Sequence, residues 1–403
     1  MDNILSGLRV VEGAAFIAAP SGAMTLAQLG ADVIRFDMIG GGLDYRRWPV
    51  DKNNSSLFWA GLNKGKRSIA VDFRKPEGQD ILTQLITAPG EDGGLFLTNF
   101  PARGWLSDEK LRRHRDDLIY MNLTGDRHGG SAVDYTVNCE VGIPYITGSR
   151  EQPVNHVLAA WDVITGQTLA LGLLAAERHR RITGQGQMIR LALADVALAT
   201  LGNLGFIAEA QINGEERAAY GNYLYGAFGK DFVSADGRRM MIVGLTGNQW
   251  RGIIAATDLG VAFDQLGERL QLDLRQEGNR FRARDDIAGL LEPWFAAHRF
   301  DDIVSRFEEN GVCWGKYQSI AELVADDPEC STDNPLFQEL EQPGVGSYLT
   351  PTSPLCFSGF QRQDARPAPA VGEHTDQILA EELGLSGSEI GRLHDGGVVA
   401  QAS

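Results

Sequence analysis

Short apolar runs recur along the first 200 residues of the chain, separated by longer stretches with helical spacing. The runs have the length of β-strands and lie at residues 8–12, 32–37, 68–73, 94–98, 118–123 and 187–193. Stretches with helical character lie at 21–29, 76–86 and 108–115. Strands that alternate with helices form parallel sheets covered by helices on both faces. The pattern therefore predicts an α/β fold with one large parallel-sheet domain over residues 1–200.

The pattern changes after residue 200. Residues 201–210 are apolar and helical in character, residues 232–243 have the pattern of a hairpin with an Asp-Gly turn, and amphipathic helices follow. We therefore expect a smaller α+β domain over residues 201–330. Residues 331–403 contain proline-rich, extended stretches, which are typical of a segment that wraps over another surface.

The longest predicted helix covers residues 163–182 and ends at the glycine turn TGQG. It is mostly apolar, and its basic last turn complements the helix dipole. Asp162 stands at its start. An aspartate in this place either caps the helix by accepting backbone N–H bonds or supplies a carboxylate for chemistry. From spacing alone, capping is the more common role.

Charge and cysteine content narrow the class of protein. The formal charge of −16 over 403 residues argues against nucleic acid or an anionic membrane as the main partner. The four cysteines are far apart and form no CxxC pair, so we expect neither a zinc ribbon nor a disulfide framework, and a reduced, cytoplasmic compartment fits. Apolar runs stay short of 18 residues and the N-terminus lacks a secretory pattern, so we expect no membrane insertion and no secretion.

Basic residues cluster at two places beside glycines and strand ends, and a third polar loop follows the strand at 94–98. Such positions suit phosphate contacts, although solvated charges in connecting loops explain them equally well. The residues concerned are Arg46, Arg47, Lys64, Lys66, Arg67, Asn99, Phe100 and Arg103. The G-x-G-x-x-G fingerprint is absent, which disfavours an ordinary NAD site.

Several other kinds of site lack support in the sequence. The motifs G-x-S-x-G, H-E-x-x-H and G-x-x-x-x-G-K-[ST] do not occur, and the seven histidines have no ligand spacing, so we expect no metal. Aromatic residues around Tyr225 either form core or line a pocket, and core is the more common role.

Six stretches in order resemble the class III CoA-transferases, the family of formyl-CoA transferase and carnitine CoA-transferase. They extend from about residue 5 to 380 and read LSGLRVVE, LAQLGADVIRFD, NKGKRSIAVDF, TNF, WDVITGQ…LLAAERHRRITGQGQ and GEHTDQIL. The resemblance implies a large Rossmann-like domain completed by the C-terminal segment, a smaller α+β domain, and two chains interlocked as a homodimer.

The resemblance also implies the chemistry. Asp162 holds the position of the family's nucleophile, and a helix start is expected to keep its carboxylate ionised. Coenzyme A enters as part of the substrate, with no permanently bound cofactor and no metal. Its contacts are expected among Arg47, Lys64, Lys66, Arg67, Asn99, Phe100 and Arg103. Stretches such as GGGLDYRRWPV and VDYTVN are most similar to members that move CoA between two carboxyls of one molecule.

The substrate pocket is where the chain departs from the formyl enzyme. That enzyme has a glutamine where this chain has Ile17, a glutamate near Thr136, and a glycine-run loop where this chain has only residues 244–247. Pocket residues are expected among Ile17, Ala18, Thr136, Tyr225, Gly244 and Gly247. Two alternatives stay open: an intermolecular CoA-transferase acting on another dicarboxylic acyl-CoA, and a non-catalytic CoA-binding protein.

Overall fold

The computed structural model describes residues 3–402, and most of the predicted strands lie within a residue or two of their predicted bounds. The strands of this part of the chain are β1 (Arg9–Gly13), β2 (Asp32–Asp37), β3 (Arg67–Val71), β4 (Leu95–Thr98), β5 (Ile119–Thr124), β6 (Met188–Ala192), β7 (Phe228–Val233), β8 (Arg239–Gly244), β9 (Cys313–Lys316), β10 (Phe337–Gln342), β11 (Gly346–Pro351) and β12 (Val399–Ala400).

Helices connect the strands of the large sheet and make up most of the second half of the chain. Those in residues 3–402 are α1 (Ala18–Gln28), α2 (Leu57–Leu62), α3 (Pro76–Ile86), α4 (Asp108–Arg112), α5 (Asp134–Glu140), α6 (Ile143–Thr147), α7 (Ala160–Thr183), α8 (Leu193–Asn203), α9 (Phe206–Asn213), α10 (Gly247–Thr257), α11 (Gly260–Leu270), α12 (Glu277–Arg282), α13 (Arg284–Ala297), α14 (Phe300–Glu309), α15 (Ile320–Asp326), α16 (Thr375–Glu381) and α17 (Gly387–Asp395).

A seven-stranded sheet has the order β12-β3-β2-β1-β4-β5-β6. Strands β1 to β6 run parallel, and β12 joins the edge antiparallel to β3. Strands β2 and β3 therefore lie on one side of β1, and strands β4, β5 and β6 lie on the other side. The prediction of an α/β fold with a large, mostly parallel sheet is confirmed. Ligands of such sheets bind where the strand order reverses, outside the carboxyl ends of the strands.

Alternate residues of each central strand pack against opposite faces of the sheet. Val10 and Leu97 contribute to one apolar cluster, which also contains α1 and α7. Val11 and Phe96 contribute to the other, which also contains α3 and the C-terminal helices. Because both faces are covered, these strands read as continuous apolar runs rather than as alternating ones.

Helices α1 and α7 approach closely because glycines face each other at their crossing. A Cβ atom on Gly22 would lie 2.5 Å from the carbonyl oxygen of Gly166, and a Cβ on Gly166 would lie 2.2 Å from Oγ of Ser21. Only glycine tolerates these distances. Ala18 and Asp162 each precede these glycines by one helical turn, so the starts of the two helices lie side by side.

The described chain divides into two units. The large unit contains the residues up to Gly142, then His156–Glu215, then the residues from Pro328 on; the small unit contains Ile143–Asn155 and Glu216–Asp327. The observed division therefore falls after residue 215 rather than at 201, and residues 143–155 leave the large unit. The C-terminal segment contributes β12 and α16 to the large unit.

The segment around residue 201 differs most from its prediction. In place of one helix over 201–210, α8 ends at Asn203 and α9 begins at Phe206, because Gly205 adopts a left-handed φ of 83° between them. The hairpin predicted at 232–243 is formed by β7 and β8. Among the helices of residues 3–402, none alone has the length and apolar character to cross a bilayer; the bent pair α8 and α9 meets that test only when taken together.

Candidate active site

A cavity of about 370 Å³ lies at the carboxyl ends of β1, β4 and β5, where the strand order reverses. Loops that leave these three strands form most of its wall, and the starts of α1, α7 and α8 complete it. Its lining includes Ala15, Phe16, Ala18, Asn99, Phe100, Leu123, Val133 and Asp162. All of them belong to the large unit.

Asp162 lines this cavity as the third residue of α7. The N-cap residue is Ala159, so the capping role considered for Asp162 is wrong. Within residues 3–402 the carboxylate of Asp162 makes no side-chain hydrogen bond or ion pair. A half-buried carboxylate with unused oxygens at a cavity wall has the accessibility that a nucleophile needs.

A second carboxylate caps α7 in its place. Asp134, the first residue of α5, accepts hydrogen bonds on Oδ2 from the backbone N–H groups of Trp161 (2.8 Å) and Asp162 (3.2 Å). Its Oδ1 lies 2.5 Å from Nε2 of His156. Asp134 is 1 % exposed, so these contacts satisfy a carboxylate that water does not reach.

Asp134 is not among the site residues predicted from the sequence, although it lies within the stretch VDYTVN that resembles the family. The resemblance aligns the formyl enzyme's glutamate near Thr136, which is two residues after Asp134 in this chain. The hydroxyl of Thr136 instead bonds the backbone of Val133 and lies outside the cavity lining. The signal was present as an acidic residue at the start of an amphipathic stretch, but nothing in the sequence indicates that it faces Asp162.

Burial and, as a smaller contribution, the negative charge of Asp134 raise the pKa of Asp162 to about 6, against the opposing effect of the positive charge of Arg47. The expectation that the helix start would hold this carboxyl strongly ionised therefore needs correction. At neutral pH most of the population is still ionised, and below pH 6 most of it is protonated.

The loop after β1 is held by side chains from other elements. The amide of Asn99 donates to the carbonyl of Ala15 (2.8 Å) and accepts from its N–H (3.1 Å). Phe16 has a left-handed φ of 72°, and its N–H donates to Oδ2 of Asp44 at 3.2 Å. The side-chain amide of Asn99 therefore makes its hydrogen bonds to the protein backbone rather than to a ligand. Ile17 is the N-cap residue of α1 and lies outside the lining, whereas Ala18 is part of it.

Three of the predicted CoA contacts, Phe100, Arg103 and Arg47, have side chains that are at least partly exposed to solvent. Phe100 lines it and packs against Phe36 and Phe73, with ring centroids 6.2 Å apart in both pairs. Arg103 is exposed three residues further along the same loop. Arg47 is exposed, and its guanidinium lies 5.5 Å from the ring centroid of Phe16.

Lys64, Lys66 and Arg67, three further predicted CoA contacts, have partners within the protein. Lys66 is buried and paired with Glu12 at 2.7 Å. Arg67 forms ion pairs with Asp32, at the amino end of β2, and with Glu382. Lys64 donates to the carbonyl of Pro351 (3.1 Å) and lines a separate, small pocket at the C-terminal end of α1.

Three predicted pocket residues belong to the small unit and do not line this cavity. Tyr225 packs against Tyr220 and Phe281, with its ring under the guanidinium of Arg217. Gly244 ends β8 and its carbonyl accepts from Arg280, while Gly247 begins α10. No group of three or more His, Cys, Asp or Glu residues in the described chain is arranged to hold a metal ion.

Comparison with known proteins gives the family. The model of CoA-transferase family III matches residues 5–375, and the chain belongs to this family. The chain is 62 % identical over 403 residues to 2-methylfumaryl-CoA isomerase of Chloroflexus aurantiacus, covering 99 % of this chain and 98 % of the relative. It is 30 % identical over 395 residues to succinate–glutarate CoA-transferase of Agrobacterium fabrum, with 94 % and 95 % covered.

Comparison with solved structures supports the same family assignment. A crystal structure of a CAIB/BAIF family protein from Brucella suis superposes with a TM-score of 0.77 at 26 % identity, covering 94 % of this chain and 100 % of that one. The resemblance stated from the sequence motifs is therefore confirmed at the level of family and fold.

Proposed function

We propose that this protein catalyses intramolecular CoA transfer between the two carboxyls of mesaconate, converting 2-methylfumaryl-CoA into 3-methylfumaryl-CoA. One observation carries the proposal: the carboxylate of Asp162, which pairs with no other side chain in residues 3–402, lines a cavity at the strand-order reversal of a family III CoA-transferase fold. The 62 % identity to an isomerase of that substrate supports the choice of reaction.

The first half of the reaction moves CoA onto the protein. The ionised carboxylate of Asp162 attacks the C1 thioester carbonyl, the C–S bond breaks, and CoA thiolate leaves a mixed anhydride behind. The thiolate then attacks the aspartyl carbonyl and breaks its bond to the bridging oxygen. The products are an aspartyl-CoA thioester and free mesaconate, which stays in the cavity.

The second half uses the other end of the same acid. Mesaconate reorients, its C4 carboxylate attacks the aspartyl thioester, and thiolate leaves again. The thiolate attacks the C4 carbonyl of the new anhydride, which frees the carboxylate of Asp162 and gives 3-methylfumaryl-CoA. Because the acid never leaves, the second half is effectively unimolecular.

The size of the cavity supports retention of one small acid. Its volume of about 370 Å³ lies near the lower end of the usual range for ligand pockets, roughly 300–1,000 Å³. Small and apolar residues such as Ala15, Ala18 and Leu123 form much of its wall. A site of this kind leaves little room for a second acid beside the acyl group.

Stabilisation of the developing oxyanions falls to the start of α1. The N–H groups of Ala18 and Ala19 lie in the first turn, where helix amides lack intrahelical partners, and Pro20 follows. The glycine contact with α7 sets this turn beside Asp162. Donors held in this way act without reorganisation when charge develops. The loop over residues 243–247, which contains the predicted pocket residues Gly244 and Gly247, does not line this cavity and is not part of the proposed oxyanion site.

For CoA we propose a path over the carboxyl edge of the sheet, with Phe100 and Arg103 along it and Arg47 beside the acyl end. The first two leave the carboxyl end of β4, and Arg47 lies next to Phe16 of the cavity wall. Lys64, Lys66 and Arg67 are excluded from this set because their charges are already bound inside the protein.

We also propose that two chains associate as the interlocked homodimer of this family. The surface of α8 and α9 supports self-association, because α9 has no buried residue and Ile212 is 81 % exposed. An apolar helix of this kind is costly to leave in water.

Isotopic exchange tests the intramolecular step. Unlabelled 2-methylfumaryl-CoA is converted in the presence of excess ¹³C-labelled free mesaconate, and the label in the product is measured by mass spectrometry. We expect product with little label, because the retained acid outcompetes the external one. Label approaching that of the external pool would instead support an intermolecular transferase, the activity named for the relative from Agrobacterium fabrum.

A further inference from the structure

We infer that Asp134 is a positioning residue for the reaction: it takes over the capping of α7 so that the carboxylate of Asp162 is left free to react. The inference rests on the proposed function, because it assigns Asp162 as the nucleophile. Asp134 itself does not line the cavity and is 1 % exposed, so it cannot take that role in its place.

The geometry of the cap is specific. An aspartate in the first turn of a helix ordinarily folds back onto the free backbone N–H groups, and this competes with any other use of its oxygens. Here those N–H groups are already engaged, since Trp161 N and Asp162 N both donate to Oδ2 of Asp134 at 2.8 and 3.2 Å. The carboxylate of Asp162 therefore does not compete for these two N–H groups, and its oxygens remain available at the cavity.

Further contacts keep Asp134 in place. Its Oδ1 contacts Nε2 of His156 at 2.5 Å, and the indole Nε1 of Trp161 donates to Oδ1 of Asn138 at 2.9 Å. Asn138 lies one turn after Asp134 on α5, so α5 holds the start of α7 through a backbone cap and a side-chain bond. Both α5 residues are buried.

The cap also places a second negative charge next to the nucleophile. Asp134 on α5 faces Asp162 with a like charge, Arg47 opposes it from the loop before α2, and His156 can offset Asp134 when protonated. Repulsion between the two carboxylates disappears when Asp162 becomes an anhydride or thioester. Asp134 therefore favours the acylated states over the free carboxylate.

Two substitutions separate the charge of Asp134 from its hydrogen bonds. Asp134→Asn keeps an acceptor oxygen for the two N–H groups but removes the charge, whereas Asp134→Ala removes both. Glu140→Gln is the matched control, because it removes a negative charge from an exposed position on the same helix. The first readout is the pH dependence of kcat with 2-methylfumaryl-CoA.

We expect the acid limb of the Asp134→Asn profile to move down by about one pH unit, with kcat reduced several-fold on the alkaline plateau. Asp134→Ala should lose at least tenfold in kcat, and Glu140→Gln should match the wild type. An acid limb for Asp134→Asn that coincides with that of the wild type would overturn the inference, even if its kcat is lower.

Hydrogen exchange of the peptide around residues 158–166 tests the cap without any turnover. Asp134→Ala should speed exchange at the start of α7 at least tenfold, Asp134→Asn should have a much smaller effect, and Glu140→Gln none. Unchanged exchange in Asp134→Ala would also overturn the inference. If wild-type protein does not turn over 2-methylfumaryl-CoA, the proposed function fails instead, and the exchange result still decides whether Asp134 caps the helix.

Discussion

At the scale of single residues, the chemistry depends on how one carboxylate is kept both reactive and accessible. Burial and the charge of Asp134 raise the pKa of Asp162 to about 6, closer to neutral pH than the pKa of a solvated aspartate. A general rule for nucleophiles and bases is that a pKa near the operating pH combines availability with reactivity. In the proposed mechanism, the cavity wall therefore controls the reaction through the protonation state of Asp162.

The pKa of Asp162 predicts the pH dependence of the first chemical step. With the pKa raised to about 6, the reactive ionised form falls to roughly one tenth of the population at pH 5 and is nearly complete at pH 8. The rate of adduct formation, measured by rapid quench between pH 5 and 8, should follow this fraction. A rate that stays constant over this range would contradict the assignment.

Asn99, predicted from the sequence as a CoA contact, has its side chain hydrogen-bonded to the loop after β1. Because both atoms of its amide bond Ala15, Asn99→Ala should lower the free energy of unfolding by about 1–2 kcal/mol and loosen the cavity wall. We expect kcat to fall while KM for the acyl-CoA changes less than threefold. Denaturant unfolding and steady-state kinetics measure the two effects. A large rise in KM with unchanged stability would instead restore the CoA contact.

The sequence pattern predicted a site at Asp162 and at the loop of Asn99, which both line the cavity, but it did not predict the contacts of their side chains. A strand followed by a polar loop predicts that the loop lies at the ligand edge, and this holds for Asn99 and Phe100. Whether a basic residue faces solvent or a buried partner depends on residues far along the chain. Glu12 removes Lys66 from the surface, and Glu382 holds Arg67, and neither pairing leaves a local signal.

At the scale of elements, the site depends on the contact between α1 and α7. Gly166→Ala should push the two helices apart, because the new Cβ would lie 2.7 Å from the carbonyl oxygen of Ala18 as well as against Ser21. We expect a loss of about 1–3 kcal/mol in stability and more than tenfold in kcat, since the amides of α1 then shift relative to Asp162.

Gly172→Ala on the same helix is the control for that substitution. Its Cβ would meet only the flexible end of Met121, and alanine favours helix. Thermal unfolding and kcat of the two variants should therefore differ clearly. Similar behaviour of both would mean that the glycine contact does not set the geometry of the site.

Element bounds could be predicted where periodicity is strong and local. The predicted helix 76–86 coincides with α3, and the predicted strand 32–37 coincides with β2. The prediction failed at 201–210, where a glycine with left-handed backbone divides two apolar helices of similar composition. Periodicity does not reveal such a break, because an isolated glycine is also tolerated inside a helix.

At the scale of the whole molecule, the fold class followed from the order of strands and helices, but the division into units did not. Residues 143–155 belong with residues far ahead in the sequence, and the last strand returns to the edge of the first sheet. Both features are long-range pairings. Local composition carries no information about them, and the family motifs supplied the return of the C-terminal segment.

Self-association is the prediction that concerns the whole molecule. Light scattering after gel filtration should give twice the chain mass of 43.8 kDa. Ile212→Glu on α9 should shift the protein toward monomer, because it places a charge in the proposed interface, whereas Val261→Glu on α11 should not. A wild-type protein that runs as a monomer at micromolar concentration would contradict the homodimer.

The covalent intermediate on Asp162 is the most direct test of the proposed mechanism. Wild-type protein is mixed with 2-methylfumaryl-CoA, quenched within the first turnover, digested, and analysed by mass spectrometry, with Asp162→Asn treated in parallel. We predict a peptide around residue 162 that carries the mass of CoA, sensitive to hydroxylamine and absent from the variant. An active wild-type enzyme without this adduct, or an Asp162→Asn variant with wild-type activity, would contradict the mechanism.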